Sequence, residues 1–122
     1  MSAFGASTEE EMKERSREIS SACIDILVSH SPPWGIGDSN RSGKHCGSKG
    51  LREAVFNADQ PPKLWVFGHV HESGGRAYRV KGTETVLVNA ASFLRSEEGL
   101  RQPMVIDICK KTKEPLSVSL RH

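Results

Sequence analysis

Apolar residues gather in short blocks separated by polar, glycine-rich or proline-rich stretches, and the blocks differ in rhythm. Ile24 to Ser29, within IDILVSH, is a continuous apolar run too short for a helix, so it predicts a buried strand ending at His30. Ser31-Pro32-Pro33-Trp34 stops it, because consecutive prolines cannot continue a sheet ladder. Lys63 to Phe67, in KLWVFGHVH, predicts a second buried strand that ends at Gly68. RAYRVKG and TETVLVNA alternate and meet near Gly82-Thr83, the pattern of a hairpin. Beyond Gln102-Pro103, MVIDIC and LSVSL predict the final strands, within 102–120. Two segments are helical in pattern. Residues 8–22 open on a capping box, Thr8-x-x-Glu11, with favourable pairs Glu9/Lys13 and Glu11/Arg15 and a thin apolar stripe. Ser48 is placed to cap a second helix, with Leu51, Ala54 and Val55 facing inward and Pro61-Pro62 closing the segment. Between Gly35 and Gly47 lies a polar loop, GIGDSNRSGKHCG. Strand, helix, strand and then consecutive strands make this an α/β chain in which parallel sheet leads into antiparallel sheet.

The length of 122 residues suits one domain. Seventeen Lys+Arg against 15 Asp+Glu leave a net charge of +2, too balanced, with only seven aromatic residues, for a dedicated nucleic-acid binder. No apolar run approaches the roughly 18 residues that a membrane span needs, and the start, MSAFGASTEEEMKER, is acidic where a secretion signal is basic and then apolar. The three cysteines, Cys23, Cys46 and Cys109, form no CxxC pair and no even framework, which predicts thiols in a reducing, cytoplasmic setting.

Histidine is the residue that changes the picture. Both predicted buried strands end in it: Val28-Ser29-His30, and Phe67-Gly68-His69-Val70-His71. Open α/β sheets bind ligands beyond the carboxyl ends of their strands. Three neutral imidazoles delivered there suit a divalent metal such as Zn, Fe or Mn. A single histidine is more often a structural or solvated residue, and that is the expectation for His45, in the loop, and for His122. Other motifs fail. Five residues separate Gly37 from Gly43, one more than a P-loop allows, and His45 stands where that motif needs Ser or Thr. There is no G-x-S-x-G nucleophile elbow. Arg76, Arg79 and Lys81 form a small basic stripe, read as a solvated face.

Together, DILVSHSPPWGIGD, PKLWVFGHVHESGG and VLVNAAS resemble, in order and spacing, the C-terminal half of a calcineurin-like metallophosphoesterase. Within that superfamily the chain is most similar to the metallophosphoesterase-domain-containing group. The resemblance covers residues 24–93 and, more loosely, the last strands. It implies a partial four-layer α/β/β/α sandwich with a mixed sheet and two or more helices, and a binuclear-metal phosphoester hydrolase acting on a phosphomonoester or phosphodiester. It assigns His30 and His69 to one metal ion and His71 to the other, with Asn89 and Ser92 in support and Asp38 facing substrate. The family's Asp-x-His, Gly-Asp-x-x-Asp and Gly-Asn-His motifs have no match among these residues. The expectation is therefore a chain that opens in mid-domain and completes its site with the missing N-terminal half or with a second copy. The alternative is a non-catalytic, truncated relative that self-associates or binds a partner.

Overall fold

A computed structural model describes residues 3–4, 24–91, 93–94, 99–100 and 104–120. The expected helix over 8–22, Cys23, Ser92 and His122 lie outside the described residues.

A five-stranded mixed sheet forms the frame, in the order β1 (Ala3–Phe4), β2 (Ile26–Ser29), β3 (Leu64–Phe67), β5 (Val86–Asn89), β4 (Arg76–Arg79). The first four are parallel to their neighbours, and β4 runs antiparallel to β5. The β4–β5 hairpin turns through Gly82, as the alternating pattern predicts. One helix, α1 (Lys49–Phe56), connects β2 to β3. Its cap is the expected one: the Ser48 hydroxyl accepts the Leu51 N–H at 3.0 Å.

The sheet register sorts the core into two faces, because successive side chains in a strand point oppositely. Leu27, Trp65 and Leu87 stand side by side, and with Phe67 they meet Leu51 and Val55 of α1. Ala54 is only half-buried, unlike its two neighbours. On the opposite face, Leu64, Val86 and Val88 are covered by Met104, Ile106, Ile108 and Val118. These belong to a second, two-stranded antiparallel sheet, β8 (Met104–Ile108) with β9 (Pro115–Leu120). A further short pair joins β6 (Phe93–Leu94) and β7 (Gly99–Leu100).

The described residues thus make three layers: helix, mixed sheet and hairpin. Arg76, Arg79 and Lys81 are exposed, as a solvated stripe should be. Among the described residues no helix is long and apolar enough to cross a membrane.

The strand ends and the loop above them come together through buried polar groups. The Trp65 indole N–H donates to the Ser29 hydroxyl at 2.8 Å, and that hydroxyl donates to the Ser31 carbonyl, turning the chain just past His30. Gly47 enters α1 against the backbone of Pro33, so closely that any side chain there would strike the Pro33 carbonyl. That contact explains why the loop closes on a glycine.

Candidate metal centre

His30 and His69 follow β2 and β3, which are adjacent and parallel, so both emerge at the same edge of the sheet. Their ring centroids lie 4.5 Å apart with the planes inclined at 47°. Both residues are exposed. The Gly68 N–H donates to the His30 carbonyl, so the backbones are joined where the rings meet.

His69 holds an unusual backbone. Its φ is +68°, and the Val70 N–H closes a three-residue turn on the Gly68 carbonyl at 2.8 Å. This is the rare, strained hand of the γ-turn, which an L residue adopts only when its surroundings require it. The turn swings the His69 ring toward His30. Here strain and function should separate. His69→Gly is expected to leave the unfolding midpoint unchanged or to raise stability by up to about 1 kcal/mol, while metal binding falls. Chemical denaturation beside metal titration checks this.

His71 begins a single 3-10 turn, His71–Ser73, and is half-buried. Among the described residues no group of three or more His, Cys, Asp or Glu side chains is arranged to hold a metal ion. Of the three expected histidines, the structure brings the rings of His30 and His69 together. Asp25, Asp59 and Asp107 are all exposed.

Asn89, at the end of β5, is completely buried. Its side-chain NH₂ donates to the Gly37 carbonyl at 2.8 Å and the Val70 carbonyl at 3.1 Å, and its oxygen accepts the Ala91 N–H at 3.0 Å. One amide thereby fastens the Gly35–Gly47 loop to the turn between His69 and His71. Ser73 adds a second tie, donating to the Ser39 carbonyl at 2.8 Å.

Asp38 is placed differently from the expectation. Instead of facing substrate, its side chain is 1% exposed, and its carboxylate organises the loop. One oxygen accepts the N–H groups of Gly35 (2.8 Å) and Gly47 (3.0 Å), and the other pairs with His45 Nδ1 at 2.8 Å. Burial pushes this carboxyl up. The hydrogen bonds from Gly35, His45 and Gly47, with the His45 charge, outweigh it and hold the group below the ordinary carboxylate value. His45, expected to be merely solvated, is instead anchored at one nitrogen. Its ring lies 4.7 Å from that of Trp34. Neither partner of this pair carries a sequence signature. A glycine between turns and an Asp seven positions before a His are compatible with any polar loop.

No protein-family model and no solved structure matches the chain. It is similar to two UPF0046 proteins of Caenorhabditis elegans. One is 36% identical over 87 residues, covering 71% of this chain and 21% of the relative. The other is 37% identical over 90 residues, covering 71% and 31%. It is also similar to metallophosphoesterase domain-containing protein 1 of Homo sapiens, at 36% identity over 86 residues, 70% of this chain and 25% of the relative. The chain thus spans between about a fifth and a third of the length of these relatives.

Proposed function

Because the chain belongs, over 70–71% of its length, to the metallophosphoesterase-domain-containing group, we propose that it carries the C-terminal ligands of a metal-dependent phosphoester hydrolase. The observation that carries this reading is the apposition of the His30 and His69 rings beyond the ends of two adjacent parallel strands. Two exposed imidazoles side by side fit part of the ligand set of a divalent ion such as Mn, Fe or Zn. They do not fill it, and the described residues add no carboxylate to them. In this reading His30 and His69 hold one ion and His71 contributes to a second. The carboxylates come from an N-terminal portion of the domain or from a second copy.

Divalent ions held by these histidines would supply Lewis-acid charge to the phosphoryl group and would lower the pKa of a bound water. The chain's own share is positioning. The His69 γ-turn aims one imidazole at the other, and Asn89, with Ser92 nearby in sequence, supports the turn that bears His71. Free thiols at Cys46 and Cys109 support a cytoplasmic, reducing location. Nothing in the fold or the relatives favours the non-catalytic alternative.

The test is turnover. With Mn²⁺, this chain alone is expected to hydrolyse bis(p-nitrophenyl) phosphate at background rate. Adding the N-terminal portion of a UPF0046 relative should restore turnover, and His69→Ala should abolish the gain. Rapid turnover by the chain alone that survives His69→Ala overturns the reading.

A further inference from the structure

We infer that the outer stripe of α1, together with Trp34, is a docking groove for a short acidic peptide of a partner protein. The observations that lead there are independent of the histidine pair.

The groove arises from the periodicity of the helix. Leu51 and Val55 are buried, which leaves Lys49, Arg52, Glu53 and Phe56, spaced three and four apart, on a second stripe. These four residues and Trp34 line one cavity of about 600 Å³, a size typical of ligand sites. It reaches from the first residue of α1 to the last, about 12 Å, which three or four residues of extended chain span.

The walls are held in place by the fold. The Trp34 N–H donates to the Ser48 carbonyl at 3.2 Å, and the Trp34 carbonyl accepts Arg52 Nη1 at 2.7 Å, so the backbone of this residue is tied to α1 and its cap. Phe56 meets the buried Trp65 edge-on, with ring centroids 6.2 Å apart. Each groove ring holds a cation. The Lys49 ammonium lies 5.0 Å from the Trp34 centroid, and the Arg52 guanidinium carbon lies 5.9 Å from that of Phe56. A long side chain ordinarily loses rotamer freedom when it binds, and these two have already lost part of theirs.

Charge identifies the occupant. Neither Lys49 nor Arg52 forms an ion pair among the described residues, and Glu53 is the one acid in the groove lining. Arg52 spends one of its five N–H donors on Trp34, so the others remain for a carboxylate. The aromatic walls require an apolar side chain beside that carboxylate, which inorganic phosphate lacks. Tryptophan and arginine in one pocket are the residue types that dominate protein recognition. Two cations opposed by one acid are too few to track a nucleic-acid backbone. A second copy meeting this groove face to face would set like charges against each other.

Tryptophan fluorescence tests this, since Trp34 is 36% exposed in the groove and Trp65 is fully buried. The probe is a blocked peptide of one phenylalanine and three glutamates. Its glutamine counterpart, inorganic phosphate and a single-stranded oligothymidylate are the comparisons. The glutamate peptide is expected to shift the emission saturably, and to bind more weakly as salt rises. By calorimetry, Lys49→Gln and Arg52→Gln should each weaken it by about fivefold or more. Arg52 also braces Trp34, so if Arg52→Gln does not fold, Lys49→Gln, at an exposed position, decides the case. The inference is overturned by no response to the glutamate peptide, by equal affinity for the glutamine peptide, or by unchanged affinity in Lys49→Gln. A response to phosphate or the oligonucleotide without one to the peptide overturns it as well.

Discussion

Asp38→Ala is expected to destabilise the protein by about 2–4 kcal/mol, because hydrogen bonds to a charged acceptor are worth about 1.5–3 kcal/mol each and the freed donors are only partly buried. The substitution strands three donors at once: the N–H groups of Gly35 and Gly47 and the Nδ1 of His45. Gly47 packs its Cα against the Pro33 backbone at the entrance to α1, where a Cβ would strike the Pro33 carbonyl. Loss of the carboxylate should therefore loosen the whole loop, α1's capped end included. Urea unfolding followed by tryptophan fluorescence measures the loss, because Trp65 reports the core and Trp34 lies beside His45. The pH dependence has a definite sign. The folded-state value of Asp38 lies below its ordinary value. Its contribution is thus fully present above the ordinary carboxylate range and is lost as pH falls through the folded value. Wild type should lose stability steeply in that acid window, and Asp38→Asn should lose less there.

Asn89→Leu is expected to cost about 2–4 kcal/mol despite its similar branched shape, because buried groups left without partners each cost about 1–3 kcal/mol and the larger side chain must also be accommodated. The carbonyls of Gly37 and Val70 lose their donor, and the Ala91 N–H loses its acceptor. The effect should not be confined to stability. This amide is the joint between the loop and the His69–His71 turn, so metal affinity at the histidine pair should also fall, by about 10-fold or more. Thermal unfolding and Zn²⁺ titration of the same variant separate the two effects. A variant that loses stability but binds metal as wild type would confine Asn89 to the fold.

The sequence was legible where the information is local. Ser48 as a cap, the hairpin turn at Gly82 and the two apolar runs ending in histidine all read directly, because neighbouring residues determine each of them. The pairing of His30 with His69 also followed, since two parallel strands that end in histidine must deliver both rings to one edge. Three features were not legible, each for a physical reason. The Asp38–His45 pair is set by how a glycine-rich loop folds back on itself. The γ-turn at His69 arises from closure of the chain after Gly68, and no residue type announces it. The single 3-10 turn that begins at His71 follows from the path of the chain beyond Val70, which the HxH spacing does not specify. The four-layer expectation is met in the described residues by three layers, with the β8–β9 hairpin as the third.

The central claim is that His30 and His69 share one metal ion, and a calorimetric Zn²⁺ titration of wild type, His30→Ala, His69→Ala and the double variant tests it most directly. Two ligands of the same ion are strongly non-additive. Either single substitution should remove most of the affinity, and the double variant should bind little worse than the singles. Equal binding by all four proteins, or losses in the two single variants that simply add in the double, would contradict a shared site.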